Sequence, residues 1–474
     1  MCKESSLEKL QIGVQQKYLC SRQECRQLKQ RYLQLEQRCL QLEEETRMLR
    51  ERLNTNSKNS SKPPSQDPHR KSRQSNPTGK KSGGQPGHRG HKRKYYPKEE
   101  VKETIELFPE ICPHCNGKHF GTDSSVELQQ VIELPQISPE VTQYYIHTTK
   151  CLKCGESVRA NVPKEARRSF GPRLMGFLTM LVAEGHLSKR KICAIAKHLG
   201  VRISLGSVCN IHRLAATLLE KPAQIIRDYV LECGKVNADE TSWRVLKEKH
   251  WAWIGVTSKA TFLKIDPSRS TQAYLRIFGA FKGILTTDRY GAYNCHTGRR
   301  QSCLAHIDRS FAKMSQRAGI DQFCGKMLQE QLDQIFKLWS VFKKGEISRL
   351  ELQTKSTDPI ENIKALLILT GRKAKERQSQ ALANDLLKRF DTLWTFLHEE
   401  GVEPTNNLAE RGLRSLVIFR KLSQGNQSDW GAKFTERVMT VASTLKQNSQ
   451  NLFEFLTGLF EAYHGKRSPP PVIL

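Results

Sequence analysis

The sequence predicts a multidomain α/β protein. A mixed sheet carrying acidic residues is interrupted by an all-helical insertion and preceded by a long N-terminal helix and a four-cysteine ribbon. Three observations predict it. Apolar residues recur every seven positions near the N-terminus, two Cys-x-x-Cys pairs follow a basic stretch, and alternating β-branched segments then give way to long helical periodicity. At 474 residues the chain exceeds one compact core, so several units are expected.

Its net charge of +29 and pI near 9.7 oppose compaction unless a polyanion offsets them. Nucleic acid is the usual partner of such a chain, with an anionic membrane surface as the alternative. No apolar run approaches the ~18 residues that span a bilayer, and MCKESSLEKL carries no apolar segment of a secretory signal. A cytoplasmic location is expected, where the 14 cysteines stay reduced and act as core filler or metal ligands.

Residues 1–53 read as one helix. Val14, Leu28, Leu35, Leu42 and Leu49 fall on a heptad grid, with Cys25, Tyr32, Cys39 and Leu53 at the companion position. A 3.5-residue apolar repeat buries its seam against another helix, so a coiled-coil dimer is expected. Residues 54–98 hold twelve Lys/Arg, including Lys80, Lys81 and Arg89, against the single acid Asp67. Such a segment cannot offset its ordering entropy when free. It reads as a linker that also lies along phosphates, gaining affinity by counterion release.

Residues 99–165 contain Cys112-x-x-Cys115 and Cys151-x-x-Cys154, with 35 residues between the pairs. Each pair brings two thiolates to one turn, half of a tetrahedral zinc site. Val126–Leu134 and Val141–Thr149 alternate as strands of a zinc ribbon would. Residues 166–228 are helical, and Ser188–Leu199 and Ser204–Leu219 resemble a helix-turn-helix with Ser204 as N-cap. In that reading Arg202, His212 and Arg213 face a DNA groove.

Residues 229–318 change texture. Lys235–Asp239 reads as a strand ending on a carboxylate and continuing through Trp243–Leu246, followed by strands at Trp251–Thr257 and Ala260–Ile265. A helix over Thr271–Phe281 precedes a strand, Gly283–Thr287, that stops on Asp288. Three antiparallel-type strands, a helix and a further strand open a ribonuclease-H-like sheet, in which the first and fourth strands are neighbours. Asp239 and Asp288 would then converge. Phosphodiester chemistry needs such carboxylates, because two Mg²⁺ (or Mn²⁺) ions roughly 4 Å apart activate the nucleophile and neutralise the leaving oxygen. Residues 319–400 show helical spacing throughout and form the insertion.

Residues 401–474 complete the core and supply a third acid. Thr405 after Pro404 suits an N-cap, and Asn407, Glu410, Arg414, Val417 and Lys421 share one face of the following helix. That face offers a metal ligand, an amide and cations suited to phosphate. A salt-bridged surface helix pairing Glu410 with Arg414 is the competing reading. Cys303-x-x-His306 lacks a second ligand pair in the sequence, so it is not read as a metal site.

GKVNADETSW, LTTDRYGAY, CLAHIDRSF and PTNNLAERGLRSLVIFRK resemble four successive signatures of the insertion-sequence-66 family of bacterial transposases. NSSKPPS and GGQPGHRGH resemble that family's basic linker, and the cysteine pairs match its zinc module. The resemblance implies a DDE transposase that binds terminal inverted repeats, exposes 3′-hydroxyls and joins them to target DNA. It assigns the metal-binding acids to Asp239, Asp288 and Glu410, and structural Zn²⁺ to Cys112, Cys115, Cys151 and Cys154. His306 joins the catalytic set through a Cys-x-x-His element found after the second Asp in several such families. Arg289, Asn407, Arg411, Arg414 and Lys421 are DNA-contact candidates. Many members carry an acid where this chain has Thr405. Bridging two DNA ends implies at least a homodimer, and accessory proteins of the same element are possible partners. The contrasting expectations are a non-catalytic, zinc-dependent DNA-binding derivative and a nuclease that cuts without joining.

Overall fold

The computed structural model describes residues 4–56, 58–60, 93–121 and 125–474. In chain order its named elements begin with α1 (Glu4–Leu53), β1 (Thr148–Lys150), β2 (Ser157–Arg159), α2 (Pro172–Ala183), α3 (Lys189–His198), α4 (Leu205–Leu218) and α5 (Glu220–Glu232). There follow β3 (Lys235–Val245), β4 (Glu248–Val256), β5 (Thr261–Asp266), α6 (Thr271–Phe278), β6 (Ile284–Thr287), β7 (Arg300–Ser302) and α7 (Leu304–Ser315). The chain ends with α8 (Gly319–Lys343), α9 (Arg349–Lys373), α10 (Arg377–Lys388), α11 (Thr395–His398), α12 (Asn407–Ser423), α13 (Asp429–Gln447) and α14 (Leu452–Tyr463). Two compact units divide these residues. One comprises the described parts of Met1–Arg70, Arg227–Ser242 and His250–Ser415; the other comprises those of Lys71–Ile226, Trp243–Lys249 and Leu416–Leu474.

The first unit is built on a five-stranded sheet of order β5-β4-β3-β6-β7. β4 and β5 pair antiparallel, whereas β3–β6 and β6–β7 are parallel. A parallel return needs a crossover, and α6 supplies it. Its N-cap is Ser270, which accepts a hydrogen bond from Ala273 N–H. Ala273, Tyr274, Ile277 and Phe278 of α6 are buried, with Phe262 of β5 edge-on to Phe278. Trp253, Tyr274 and Tyr293 add further edge contacts to this core, each pair giving about 0.5–1.5 kcal/mol beyond its buried area. Gly255 is required here: a Cβ would lie 2.7 Å from Phe262 and 2.9 Å from Phe278.

α8, α9 and α10, with α7, enclose a second apolar cluster of this unit. Leu328, Leu332, Ile335, Leu352, Ile363, Leu367 and Leu386 form its centre. Ser348 and Glu351 close a full capping box at the start of α9. α1 touches these helices through its last turns, where Glu51 accepts from Arg317 at 3.2 Å and Arg47 pairs with Glu376.

In the second unit α2 and α4 pack with α13 and α14. Gly176 of α2 leaves only 2.9–3.2 Å for a Cβ beside Thr457 of α14, so the two backbones approach closely. Ser204 caps α4 by accepting from Ser207 N–H. His212 is not a groove-facing residue. It is fully buried on α4, stacked on Phe434 at 4.9 Å, because its position points into the helical core. At the tip of the β3–β4 hairpin Leu246 and Lys247 both take positive φ, 51° and 69°. This two-residue turn suits the strand twist but carries no Asn-Gly signal, so both strands run closer to the turn than the sequence suggests.

The cysteine pairs form two matching knuckles. Cys112 N–H donates to Gly117 O and Asn116 N–H to Cys112 O; Cys151 N–H donates to Glu156 O and Gly155 N–H to Cys151 O. β1 and β2 flank the second knuckle as an antiparallel pair. Val126–Leu134, expected as a strand, joins no ladder, and of Val141–Thr149 only Thr148 and Thr149 join β1. The apolar side chains of these stretches are largely exposed, so alternation here has no opposing sheet to bury against.

Candidate active site

Asp239 lies on β3 and Asp288 directly follows β6. The parallel register pairs Lys235 with Ile284, Val236 with Leu285 and Asn237 with Thr286. Continued by two residues, it sets Asp239 beside Asp288. Asp239 Oδ1 accepts from Glu240 N–H at 2.8 Å, and Asp288 Oδ1 accepts from Tyr290 N–H at 2.8 Å. Burial, then the charges of Glu240 and Asp288, hold the Asp239 carboxyl well above its ordinary range, and Glu410 adds to the repulsion. The third acid therefore lies close enough to be felt by the first.

Glu410 sits in the first turn of α12, and the placement of that helix is over-determined. Asn406, just before it, is buried; its side chain donates to Ala238 O at 2.8 Å and accepts from Asn237 Nδ2 at 3.1 Å. Leu304 N–H also donates to Pro404 O at 2.9 Å. Gly412 lets the helix lie on the sheet, since a Cβ there would meet Ile254 at 3.0 Å and Val256 at 3.2 Å. The helix starts at Asn407, and Asn406 rather than Thr405 occupies the position before it. Thr405 is thus not the capping residue, because Asn406 is the side chain that can turn inward and satisfy β3.

Cys303 precedes α7 and is wholly buried, and its Sγ accepts from Asn406 N–H at 3.1 Å. His306, one turn on, places Nδ1 3.8 Å from Glu410 Oε1. Burial and the neighbouring Arg309 hold this imidazole below its usual pKa, against the pull of Glu410 and Asp288. His306 Nδ1 and Glu410 Oε1 are both buried with no hydrogen-bond partner. Among the described residues the metal-type donors that gather within 4.8 Å of one another are those of Cys303, His306 and Glu410. Neither the three acids nor the four ribbon cysteines form such a cluster.

Glu240 points away from Asp239, as strand alternation requires. It accepts from Arg269 Nε at 2.7 Å and from Tyr293 Oη, and Arg269 lies 3.7 Å over the Tyr290 ring. Burial raises the Glu240 carboxyl, while Tyr293 and Arg269 oppose the rise. Arg269, Tyr293 and Asn406 are residues that sequence reasoning missed. Asn406 and Tyr293 each left a trace, Asn406 beside Asn407 in a motif whose other amide was chosen and Tyr293 as the last residue of the LTTDRYGAY signature.

Of the DNA-contact candidates, Arg289 is paired: Nη1 with Asp385 of α10 at 3.2 Å and Nη2 with Ser310 at 3.3 Å. Asn407, Arg411, Arg414 and Lys421 are exposed along α12. Glu410 and Arg414 do not pair in the structure. Lys80, Lys81 and Arg89 fall outside the described residues. The ribbon thiols at Cys112 and Cys151 are lowered, chiefly by backbone N–H groups of His114 and Cys154 respectively, which favours the thiolate form a metal takes.

Two half-buried acids at adjacent parallel strands, a third on a docked helix and an excess of cationic side chains are features a DNA-processing enzyme of the transposase class would carry. The family comparison agrees: the model described as Transposase IS66 family matches residues 167–434, and the chain belongs to that family. A second model, Family of unknown function (DUF6444), matches residues 15–94. Among similar proteins, uncharacterized protein y4qI of Sinorhizobium fredii is 24% identical over 76% of this chain and 71% of its own. Uncharacterized protein y4hP of the same organism is 20% identical over 75% and 71%. DNA is the partner that family membership implies. No helix among the described residues is long and apolar enough to cross a membrane.

Proposed function

We propose that this transposase binds the terminal inverted repeats of an insertion sequence, hydrolyses the strand ends to expose 3′-hydroxyls and joins them to target DNA. The observation that carries the reading is the electrostatic coupling of Asp239 to Asp288 and Glu410, with Asp239 and Asp288 on the neighbouring strand positions of a β5-β4-β3-β6-β7 sheet. That strand order, with its parallel β3–β6 pair, supports a ribonuclease-H-like core.

The donor set suits hard cations, because carboxylate oxygens held against mutual repulsion gain most from a bound divalent ion. Two Mg²⁺ or Mn²⁺ ions held there would supply an activated water or 3′-hydroxyl and neutralise charge at the leaving oxygen. The protein's own residues provide the frame. Asn406 fixes Glu410 relative to β3, Tyr290 N–H orients Asp288, and His306 stands beside Glu410 on the approach to the scissile phosphate. Arg411, Arg414 and Lys421 line the exposed α12 surface for the DNA backbone, with Lys80, Lys81 and Arg89 of the basic arm as further contacts. Cys112, Cys115, Cys151 and Cys154 are read as one structural zinc site whose half-sites are preformed as knuckles. The exposed heptad face of α1 is read as a homodimer seam, element-encoded accessory proteins as further partners, and the cytoplasm as the location.

The test is end cleavage on a duplex carrying the element terminus. Asp239→Asn and Glu410→Gln each abolish Mg²⁺-dependent cleavage and retain DNA binding. Cleavage persisting in both variants would overturn the assignment of the acids. Wild-type binding without nicks in Mg²⁺ or Mn²⁺ would establish a non-catalytic DNA-binding derivative instead.

A further inference from the structure

We propose that Cys303, His306 and Glu410 form a second kind of metal site in this protein, one that takes a soft divalent cation of the zinc type. It shares Glu410 with the hard-cation centre.

Two unsatisfied atoms mark the place. His306 Nδ1 and Glu410 Oε1 are both buried, both lack a hydrogen-bond partner, and face one another at 3.8 Å. A buried polar atom left unpaired is costly, and here an imidazole nitrogen and a carboxylate oxygen, both unpaired, lie side by side. The Cys303 Sγ completes a group whose donor atoms all lie within 4.8 Å. Zinc bonds of ~2.0–2.3 Å at tetrahedral angles place neighbouring ligand atoms roughly 3.3–3.7 Å apart. The observed spacing is therefore slightly open and closes by small side-chain adjustments.

The donor types choose the metal. One thiol, one imidazole and one carboxylate suit zinc and reject Mg²⁺, which takes oxygen ligands. Three protein ligands leave a fourth position for water, the pattern of an open rather than a purely structural zinc site. The surroundings already support the ligands. Asn406 N–H donates to Cys303 Sγ at 3.1 Å, and the same Asn406 side chain is anchored on β3 through Ala238 O. Such outer contacts fix ligand orientation. The Cys-x-x-His spacing sets Cys303 and His306 one turn apart at the start of α7, and the docking of α12 delivers the third donor.

A consequence follows for regulation, and it rests on the reading of Glu410 as the third hard-cation carboxylate. Zinc bound here engages Glu410 Oε1 and withdraws it from the Mg²⁺ centre, so Zn²⁺ inhibits cleavage while Mg²⁺ supports it.

The site is tested on the full-length chain without DNA, so its outcome is independent of strand cleavage. Zinc content and affinity are measured in excess Mg²⁺ for a variant with Cys112, Cys115, Cys151 and Cys154 all changed to Ser. That variant is expected to retain one tightly bound Zn²⁺. Adding Cys303→Ser or His306→Ala should weaken binding by more than the roughly 10–100-fold that loss of a supporting contact costs. Co²⁺ in place of Zn²⁺ should give a thiolate-to-metal absorption band that Cys303→Ser removes. Zinc absent from the four-serine variant, or held with affinity unchanged by either further substitution, overturns the site. His306 is half-buried on a helix, so His306→Ala keeps the test decisive if Cys303→Ser fails to fold.

Discussion

At the scale of single residues, the site stores unfavourable charge. Between the unfolded carboxyl's pKa of about 3.9 and the raised value of Asp239, the native chain binds more protons than the unfolded one. Stability therefore falls as pH rises through that window. Asp239→Asn removes the cost and should raise the melting temperature of the metal-free protein at neutral pH, by about 2–4 °C per kcal/mol gained. The gain should shrink toward pH 4, where the wild-type carboxyl is itself protonated. A melt in which Asp239→Asn is equal to wild type or lower at pH 7 contradicts this account. The positions of Asp239 on a strand, Asp288 at a strand end and Glu410 in the first turn of a helix were legible from periodicity, whereas grouping them as one set came from the family resemblance. Asn406 and Arg269 were not, since their roles depend on which buried group of β3 faces them, and no spacing along the chain records that.

Elements were legible where their periodicity had a partner to bury against. β3, β5, α6 and α12 follow from alternation or 3.6-residue spacing, and their ends shift by a few residues. The stretch 126–147 alternates as strongly but forms no ladder, because its apolar side chains meet no second layer. His212 shows the opposite error: a polar residue on a helix of a helix-turn-helix pattern turned inward. Burial holds its pKa at about 4, against 6.5 when unfolded. The unfolded chain then binds more protons between pH 6.5 and 4, so stability of the α2–α4 and α13–α14 unit falls as pH is lowered through that window, by up to about 3 kcal/mol. His212→Phe, measured by denaturant unfolding at pH 7 and pH 4.5, should flatten this dependence; an unchanged pH slope would remove His212 as its source. α12 gives a parallel test of packing. Gly412→Val, by overfilling the space against Ile254 and Val256, should cost about 1–3 kcal/mol. It should also reduce cleavage more than DNA binding, because it lifts Glu410 from β3.

At the scale of the whole molecule, the appendages act on the site through few defined contacts. Asp385 of the helical insertion receives Arg289, which directly follows Asp288, and also Arg389 at 2.6 Å, while Arg389 and Arg300 converge on Asn294 of the same loop. The insertion thus braces the loop that carries the second acid. Asp385→Ala should lower the cleavage rate by about 10- to 100-fold through misplacement with little change in DNA affinity. α1 is held to this unit near its C-terminal end by Glu51 with Arg317 and Lys313 and by Arg47 with Glu376. Leu28, Tyr32, Leu35, Leu42 and Leu49 stay 45–67% exposed along it. An apolar seam of this length is stable in water only when a second helix covers it, and a second copy of α1 offers the same heptads in the same register. Leu35→Asp with Leu42→Asp should therefore convert the sedimenting species from dimer to monomer. The five-stranded sheet and the α7–α10 cluster should stay folded, since neither residue touches their cores. Joining of paired ends should fail in that variant while cleavage of a single end persists. A wild-type chain that sediments as a monomer at micromolar concentration would remove the seam, and with it the only route by which α1 could bring two DNA ends to one complex.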